Sequence, residues 1–178
     1  MRTRRVSVIF GGEEMEIHEG GCLCGQVRFR TAGQPLRVTI CHCRFCQKAT
    51  GSAYMVEPIF NAGDLAITAG APKTFDRVSE GSGQAVHVHF CARCGTKLWL
   101  SFDRFADVVG VYAGVFDDPC WFEISPATAR HIFVDAARED SVLPPGFPVY
   151  RQHAVTNDGA PCEATVHDGF HLVGRGGR

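Results

Sequence analysis

The chain has 178 residues, 45% of them hydrophobic and 21% charged, which is ordinary globular composition with enough apolar matter for one folded domain. Its formal net charge is −1, from 18 basic and 19 acidic side chains, so no cationic surplus draws it to nucleic acid or to an anionic lipid surface. No run approaches the roughly 18 apolar residues of a membrane-spanning helix.

The start, Met1-Arg2-Thr3-Arg4-Arg5, is basic, but the apolar run after it, Val6 to Phe10, includes Ser7 and is shorter than the about 7–15 residues of a secretory segment. The expected home is therefore the cytoplasm, where thiols stay reduced. Residues 1–17 read as a variable lead-in, 18–150 as the folded domain, and 151–178 as a C-terminal extension with a flexible end at Gly174–Arg178.

Within the domain, Gln26–Thr31 alternates polar and apolar residues, as a half-buried strand does. Leu36–Ile40 predicts a second strand. Arg44–Thr50 predicts one or two helical turns stopped by Gly51. Strands follow at Ala53–Phe60, Leu65–Ala69, Lys73–Val78 and Gln84–Phe90, separated by the turn-forming groups Asn61-Ala62-Gly63-Asp64, Gly70-Ala71-Pro72 and Ser79–Gly83. Thr96–Phe102 and Val108–Phe116 continue the pattern. Trp121–Arg130, with Pro126, reads as loop, and His131–Val134 as a last short strand. Pro144-Pro145-Gly146 breaks the chain before Phe147–Tyr150, which is expected to pack back on the sheet. Many short strands with glycine-rich turns predict a mainly β fold of short antiparallel strands.

Seven of the nine cysteines fall in three clusters: Cys22-Leu23-Cys24, Cys41-His42-Cys43-Arg44-Phe45-Cys46 and Cys91-Ala92-Arg93-Cys94. In a reduced chain such spacing points to metal rather than disulfides. Residues two apart on extended backbone face one side, so Cys22 and Cys24 can reach one ion. Cys91 and Cys94, followed by Gly95, form the knuckle of a zinc ribbon. These two arms together complete a tetrahedral cage. The remaining Cys41, Cys43 and Cys46 wrap a second ion and leave one coordination position for water, a substrate thiol or a distant side chain. Zinc suits both sites, though thiolates also accept iron. Seven thiolates and two divalent ions would bring the formal charge to −4, further still from a nucleic-acid binder.

His42, between two ligands, is read as pointing away from the ion toward an outer contact or solvent. His87 and His89 are read as a solvent-facing strand surface, and His131 as a structural histidine with a pocket role as the alternative. His18, His153, His167 and His171 lie near the ends of the chain. Cys120 and Cys162 are isolated and read as a buried small side chain or a surface thiol.

Three segments together, Gly20-Gly21-Cys22-Leu23-Cys24-Gly25-Gln26-Val27-Arg28-Phe29, Cys41-His42-Cys43-Arg44-Phe45-Cys46 with Gly51-Ser52, and Phe90-Cys91-Ala92-Arg93-Cys94-Gly95-Thr96-Lys97-Leu98, resemble the family of glutathione-dependent formaldehyde-activating enzymes, which includes centromere protein V. The resemblance covers roughly residues 18–150. It implies an Mss4-like β-tent with a structural zinc on Cys22, Cys24, Cys91 and Cys94 and a catalytic zinc on Cys41, Cys43 and Cys46. It also implies a carbon–sulfur lyase activity that joins formaldehyde to glutathione as S-hydroxymethylglutathione. Glutathione's carboxylates would need cations; Arg28, Arg37, Arg44 and Lys48 are available, although each reads as ordinary solvated charge. The competing reading is a non-catalytic zinc β-module that binds a protein partner. A nucleic-acid-binding ribbon conflicts with the charge.

Overall fold

A computed structural model describes residues 6–10 and 13–174. The architecture is mainly β, with thirteen short strands among the described residues: β1 (Val6–Phe10), β2 (Glu13–Gly21), β3 (Arg28–Ala32), β4 (Arg37–Cys41), β5 (Met55–Asn61), β6 (Leu65–Ala69), β7 (Lys73–Val78), β8 (Ala85–Phe90), β9 (Lys97–Phe102), β10 (Val108–Val111), β11 (Ala129–Ile132), β12 (Val142–Leu143) and β13 (His171–Leu172). One helix, α1, spans Arg44–Thr50. The chain divides into two compact units: Met1–Leu36 with Pro58–Phe122, and Arg37–Glu57 with Glu123–Arg178.

The first unit holds an antiparallel sheet in the order β1-β2-β3-β6 and an antiparallel run β10-β9-β8-β7, with the end of β5 paired to β10 through Asn61↔Val108 and Phe60↔Val109. Its core is aromatic. Phe29 is fully buried and meets Phe116 edge-on at 5.5 Å, while Trp121 meets Phe116 at 5.4 Å. Such T-shaped pairs add stability beyond the area they bury. Gly20 makes this packing possible: a Cβ there would lie 2.5 Å from the Phe29 ring and 2.6 Å from the Val115 carbonyl.

The second unit is built on β4 and β11, which run parallel with Val38 opposite Ala129 and Cys41 opposite Ile132. This parallel pair sits within an otherwise antiparallel-rich fold. The strands are distant in sequence, so the connection is long enough for a parallel return. The start of β11 at Ala129 is earlier than expected because Val38 already receives a partner there: its N–H donates to the Thr128 carbonyl at 2.8 Å. Phe147–Tyr150 does pack back, with the Tyr150 N–H donating to the His131 carbonyl and the His131 N–H to the Pro148 carbonyl, both at 2.9 Å. Val38, Ile40, Met55, Ile132, Leu143 and Val149 form the buried apolar centre.

Two further expectations shift. The strand expected over Val108–Phe116 stops at Val111, because Ala113–Val115 coils into a 3-10 turn closed by the Val115 N–H on the Tyr112 carbonyl. The lead-in expected over residues 1–17 contains β1 and most of β2, paired from Val6↔Ile17 to Phe10↔Glu13. The C-terminal extension carries β13 and the bridges Val149↔Thr165 and Val155↔Pro161. Of the flexible end expected at Gly174–Arg178, residues 175–178 lie outside the described residues. No helix among the described residues is long and apolar enough to cross a membrane.

Candidate metal centres

Each unit assembles one sulfur cluster. In the first, Cys22 and Cys24 leave the end of β2 in a tight turn: the Gly25 N–H donates to the Cys22 carbonyl and the Cys22 N–H to the Val27 carbonyl, both at 3.0 Å. Gly25 takes a positive φ of 72°, which glycine adopts without steric cost. The other arm repeats the device. The Gly95 N–H donates to the Cys91 carbonyl at 2.8 Å, with Gly95 also at φ 72°. The two turns bring four Sγ atoms within 4.8 Å of one another, with Cys22–Cys24 at 3.5 Å and Cys24–Cys91 at 3.7 Å. A tetrahedral ion with bonds of about 2.3 Å holds its sulfurs about 3.8 Å apart, so this donor set fits zinc. The Thr96 hydroxyl, 3.1 Å from Cys94 Sγ, leads the interactions that lower the Cys94 thiol to about 5.

In the second unit, β4 delivers Cys41, the turn after it delivers Cys43, and the first turn of α1 delivers Cys46. Cys43 is the N-cap of α1; its Sγ accepts from the Cys46 N–H at 3.3 Å. Gly51 ends the helix at φ 67°, as the sequence led us to expect. Cys41, Cys43 and Cys46 present three sulfurs within 4.8 Å of one another, and among the described residues no His, Asp or Glu side chain completes the group. Cys41 and Cys46 are buried, and Cys43 is half-buried. The Cys41 and Cys46 thiols donate to Cys43 and hold its thiol down to about 3. Contact with Cys43 pushes Cys41 well up, and contact with Cys41 does the same to Cys46. One thiolate therefore forms readily here, while further ionisation meets like charge and burial. A cation relieves that repulsion, so the donor set fits a metal ion.

His42 is buried and makes an outer contact, the first of the two expected alternatives. Its Nε2 lies 3.0 Å from Nδ1 of buried His131, the rings stack, and Tyr54 tilts against it at 5.3 Å. Burial lowers both histidines to about 4, so both are neutral at physiological pH. Gln47 locks the loop from the other side: its Nε2 donates to the His42 carbonyl at 2.6 Å and to the Ala136 carbonyl at 2.7 Å.

Among the remaining histidines, His87 is not simply solvent-facing. It sits between Asp76 at 2.7 Å and Asp103 at 3.0 Å, and Asp76 foremost raises its pKa. His89 stacks on Trp99 with centroids 5.0 Å apart and meets Ser101 at 2.9 Å. His18 stacks on Trp121, and His167 on His171. Cys120 is exposed and Cys162 half-buried, and neither joins a cluster.

Sequence reasoning passed over Glu57. It is 6% exposed, its Oε1 has no hydrogen-bond partner, and burial raises its carboxyl to about 8. The signal was present: a lone acid inside the apolar run Met55-Val56-Glu57-Pro58-Ile59-Phe60. Arg37, read as solvated, is half-buried with its Nε enclosed.

Comparison with known proteins bears on these centres. The family model described as glutathione-dependent formaldehyde-activating enzyme matches residues 17–136, a span that contains all seven clustered cysteines. A Halomonas elongata protein provisionally named a glutathione-dependent formaldehyde-activating enzyme is 30% identical over 102 residues, which cover 56% of this chain and 65% of that protein. A crystal structure of a Rhodobacter sphaeroides protein aligns over 61% of this chain and 92% of its own, at 18% identity and a TM-score of 0.45.

Proposed function

The chain belongs to the family of glutathione-dependent formaldehyde-activating enzymes, and from that premise we propose that it is a zinc-dependent enzyme of the carbon–sulfur lyase type. Its substrates would be a small thiol such as glutathione and an aldehyde such as formaldehyde, and its setting the cytoplasm. Cys22, Cys24, Cys91 and Cys94 would hold a structural zinc, and Cys41, Cys43 and Cys46 a catalytic one. The β domain over 18–150, in the β-tent arrangement, would be the catalytic part. The observation that carries this reading is the unequal donor count, four sulfurs in one cluster and three in the other.

Cys41, Cys43 and Cys46 would hold a zinc ion, which would supply a Lewis acid able to keep a bound thiol ionised at neutral pH. This chain's residues fix the place where that happens. Cys43 caps α1, so its sulfur is oriented by the helix rather than by a free rotamer. Gln47 ties the His42 carbonyl to Ala136, which sets the curvature of the loop. His42 Nε2 and His131 Nδ1 face each other at 3.0 Å and burial keeps both rings neutral, which suits His131 to positioning the loop. The overall change is balanced: a sulfur–carbon bond forms, the carbonyl π pair moves to oxygen, and that oxygen takes the proton the thiol gave up.

The test is metal analysis of purified protein combined with a glutathione titration and turnover assay. Two zinc ions per chain are expected, with the spectrum of a cobalt-substituted second site changing as glutathione is added. The Cys43→Ser variant should lose one ion and its turnover. Unchanged metal content and turnover in that variant would eliminate the scheme.

A further inference from the structure

We propose that His87, Asp76 and Asp103 form a proton-operated latch on the outer strands of the first unit. The latch is closed when the His87 ring carries both of its protons, and it lets go of Asp103 when one is lost. All three residues stand on one face of the β7-β8-β9 ladder. Asp76 lies directly opposite His87 across the β7–β8 pair, and Ser101 lies opposite it on the β9 side. Asp103 comes two residues after Ser101. Its N–H donates to the Ala85 carbonyl at 3.1 Å, which keeps it alongside β8.

The inference begins from a count of donors. His87 Nδ1 is 2.7 Å from one oxygen of Asp76, and His87 Nε2 is 3.0 Å from one oxygen of Asp103. A carboxylate accepts hydrogen bonds and has no proton to give. A neutral imidazole has a single N–H, so it can serve only one of the two acids. Only the imidazolium makes both contacts at once. The titration of the ring agrees with this geometry: Asp76 foremost, then Asp103, raise His87 above its ordinary 6.5.

His89, on the same face of β8, supplies the contrast. Its ring nitrogens meet hydroxyls, Thr74 at 3.3 Å and Ser101 at 2.9 Å. A hydroxyl can give or take a proton in a hydrogen bond, so these partners suit His89 with one ring proton or with two. Asp76, His89 and Asp103 are the titratable groups that face His87 from its own strand and the two beside it.

Losing a proton has a direction. The shorter contact keeps it, so the neutral ring retains Nδ1–H toward Asp76, and Nε2 then turns a lone pair toward the Asp103 carboxylate. Asp103 leads from β9 into residues 103–107, which carry the chain to β10 at Val108. This connection is the piece released, while Asp76 stays tied to β8. Because the folded-state pKa is raised, the latch contributes fully below the ordinary value and is lost as pH rises through the higher one. The His87 side chain is 28% exposed and those of Asp76 and Asp103 are 71% and 55% exposed. Water screens such contacts, so the consequence is a local loosening and not unfolding.

The experiment is nitrogen-15 NMR of the zinc-loaded, full-length protein labelled at histidine, with the His87 signals assigned by their loss in His87→Gln. The His87 midpoint should lie above 6.5, and above that midpoint the remaining proton should sit on Nδ1. Asp76→Asn should lower the midpoint more than Asp103→Asn does. Amide hydrogen exchange, corrected for the intrinsic effect of pH, supplies the second readout. Between pH 6 and pH 9 the Asp103 and Val108 amides of the parent should lose about two- to fivefold in protection, the scale of an exposed ion pair. His87→Gln should show no such loss, because it starts from the open level. A midpoint at or below 6.5, or a neutral ring that keeps its proton on Nε2, overturns the donor count. Equal losses of protection in parent and variant overturn the latch.

Discussion

The two sulfur clusters are made from the same donor atom yet built in opposite ways. In the first unit, two turns far apart in sequence each contribute two cysteines, each turn is closed by its own backbone hydrogen bonds, and each needs a glycine at positive φ. An ion there joins distant pieces of chain, so its binding free energy is folding free energy. In the second unit, one continuous six-residue stretch from the end of β4 into α1 contributes all three sulfurs, and that stretch is already held by a helix cap, a glutamine bridge and a histidine pair. An ion there joins little that is not already joined. The contrast teaches that ligand count alone is a poor guide to role. What matters is how much chain each ligand set brings together.

The sharpest way to break the comparison is to remove one sulfur from each cluster. Cys91→Ser should cost the first unit its cooperative fold, because structural zinc contributes on the order of 10 kcal/mol, comparable to the whole stability of a domain. Loss of near-UV circular dichroism together with one zinc per chain is the expected outcome. Cys43→Ser should lose the other zinc with a much smaller change in the thermal midpoint, a few degrees rather than unfolding. If both variants unfold alike, the distinction between a welding cluster and a presenting cluster fails.

A smaller effect comes from Glu57. Its carboxyl stands at about 8 in the folded chain against 4.5 in the unfolded one, chiefly because it is buried and secondly because of Cys43. Below about 4.5 both states hold the proton and the group contributes fully. Between 4.5 and 8 unfolding releases the proton, so stability falls as pH rises, by up to about 1.4 kcal/mol per pH unit. Glu57→Gln should flatten the stability profile across that window. Denaturant unfolding at pH 5, 6.5 and 8 at fixed zinc saturation measures it, and parallel curves for parent and variant would refute the buried-acid description.

Much of this was legible in the residues. Every clustered cysteine lands where spacing put it, because two- and three-residue intervals on short turns leave few other geometries. Arg44–Thr50 with Gly51 was readable because a helix stop needs a residue that tolerates positive φ. What the residues concealed lies in long-range pairing. The parallel partnership of β4 and β11 sets Arg130 beside Thr39, and nothing local in either strand announces it. The outer partner of His42 was hidden for the same reason: it is His131, from a distant strand. The division into two compact units was equally hidden, since the chain leaves the first unit after Leu36 and returns at Pro58 without a linker-like change in composition.

The smallest expected effect tests whether local turn chemistry acts alike in the two units. Gly25, in the four-sulfur cluster, and Gly51, behind the three-sulfur loop, have φ of 72° and 67°, and a Cβ added at either would meet nothing within 4 Å. The cost of alanine is therefore purely conformational, about 1–2 kcal/mol for a left-handed residue with a Cβ. Gly51→Ala should lower the thermal midpoint by a few degrees and leave zinc content and glutathione affinity unchanged, since the Cys43 cap and the Gln47 bridge hold the loop from its other end. Gly25→Ala should cost the same in the metal-free protein but more with zinc present, because the strained turn must also hold Cys22 and Cys24 at cage spacing. Thermal melts with and without chelator separate the two. Equal losses in both conditions would mean that the glycines serve only their turns and that the first cluster tolerates a looser frame than its geometry suggests.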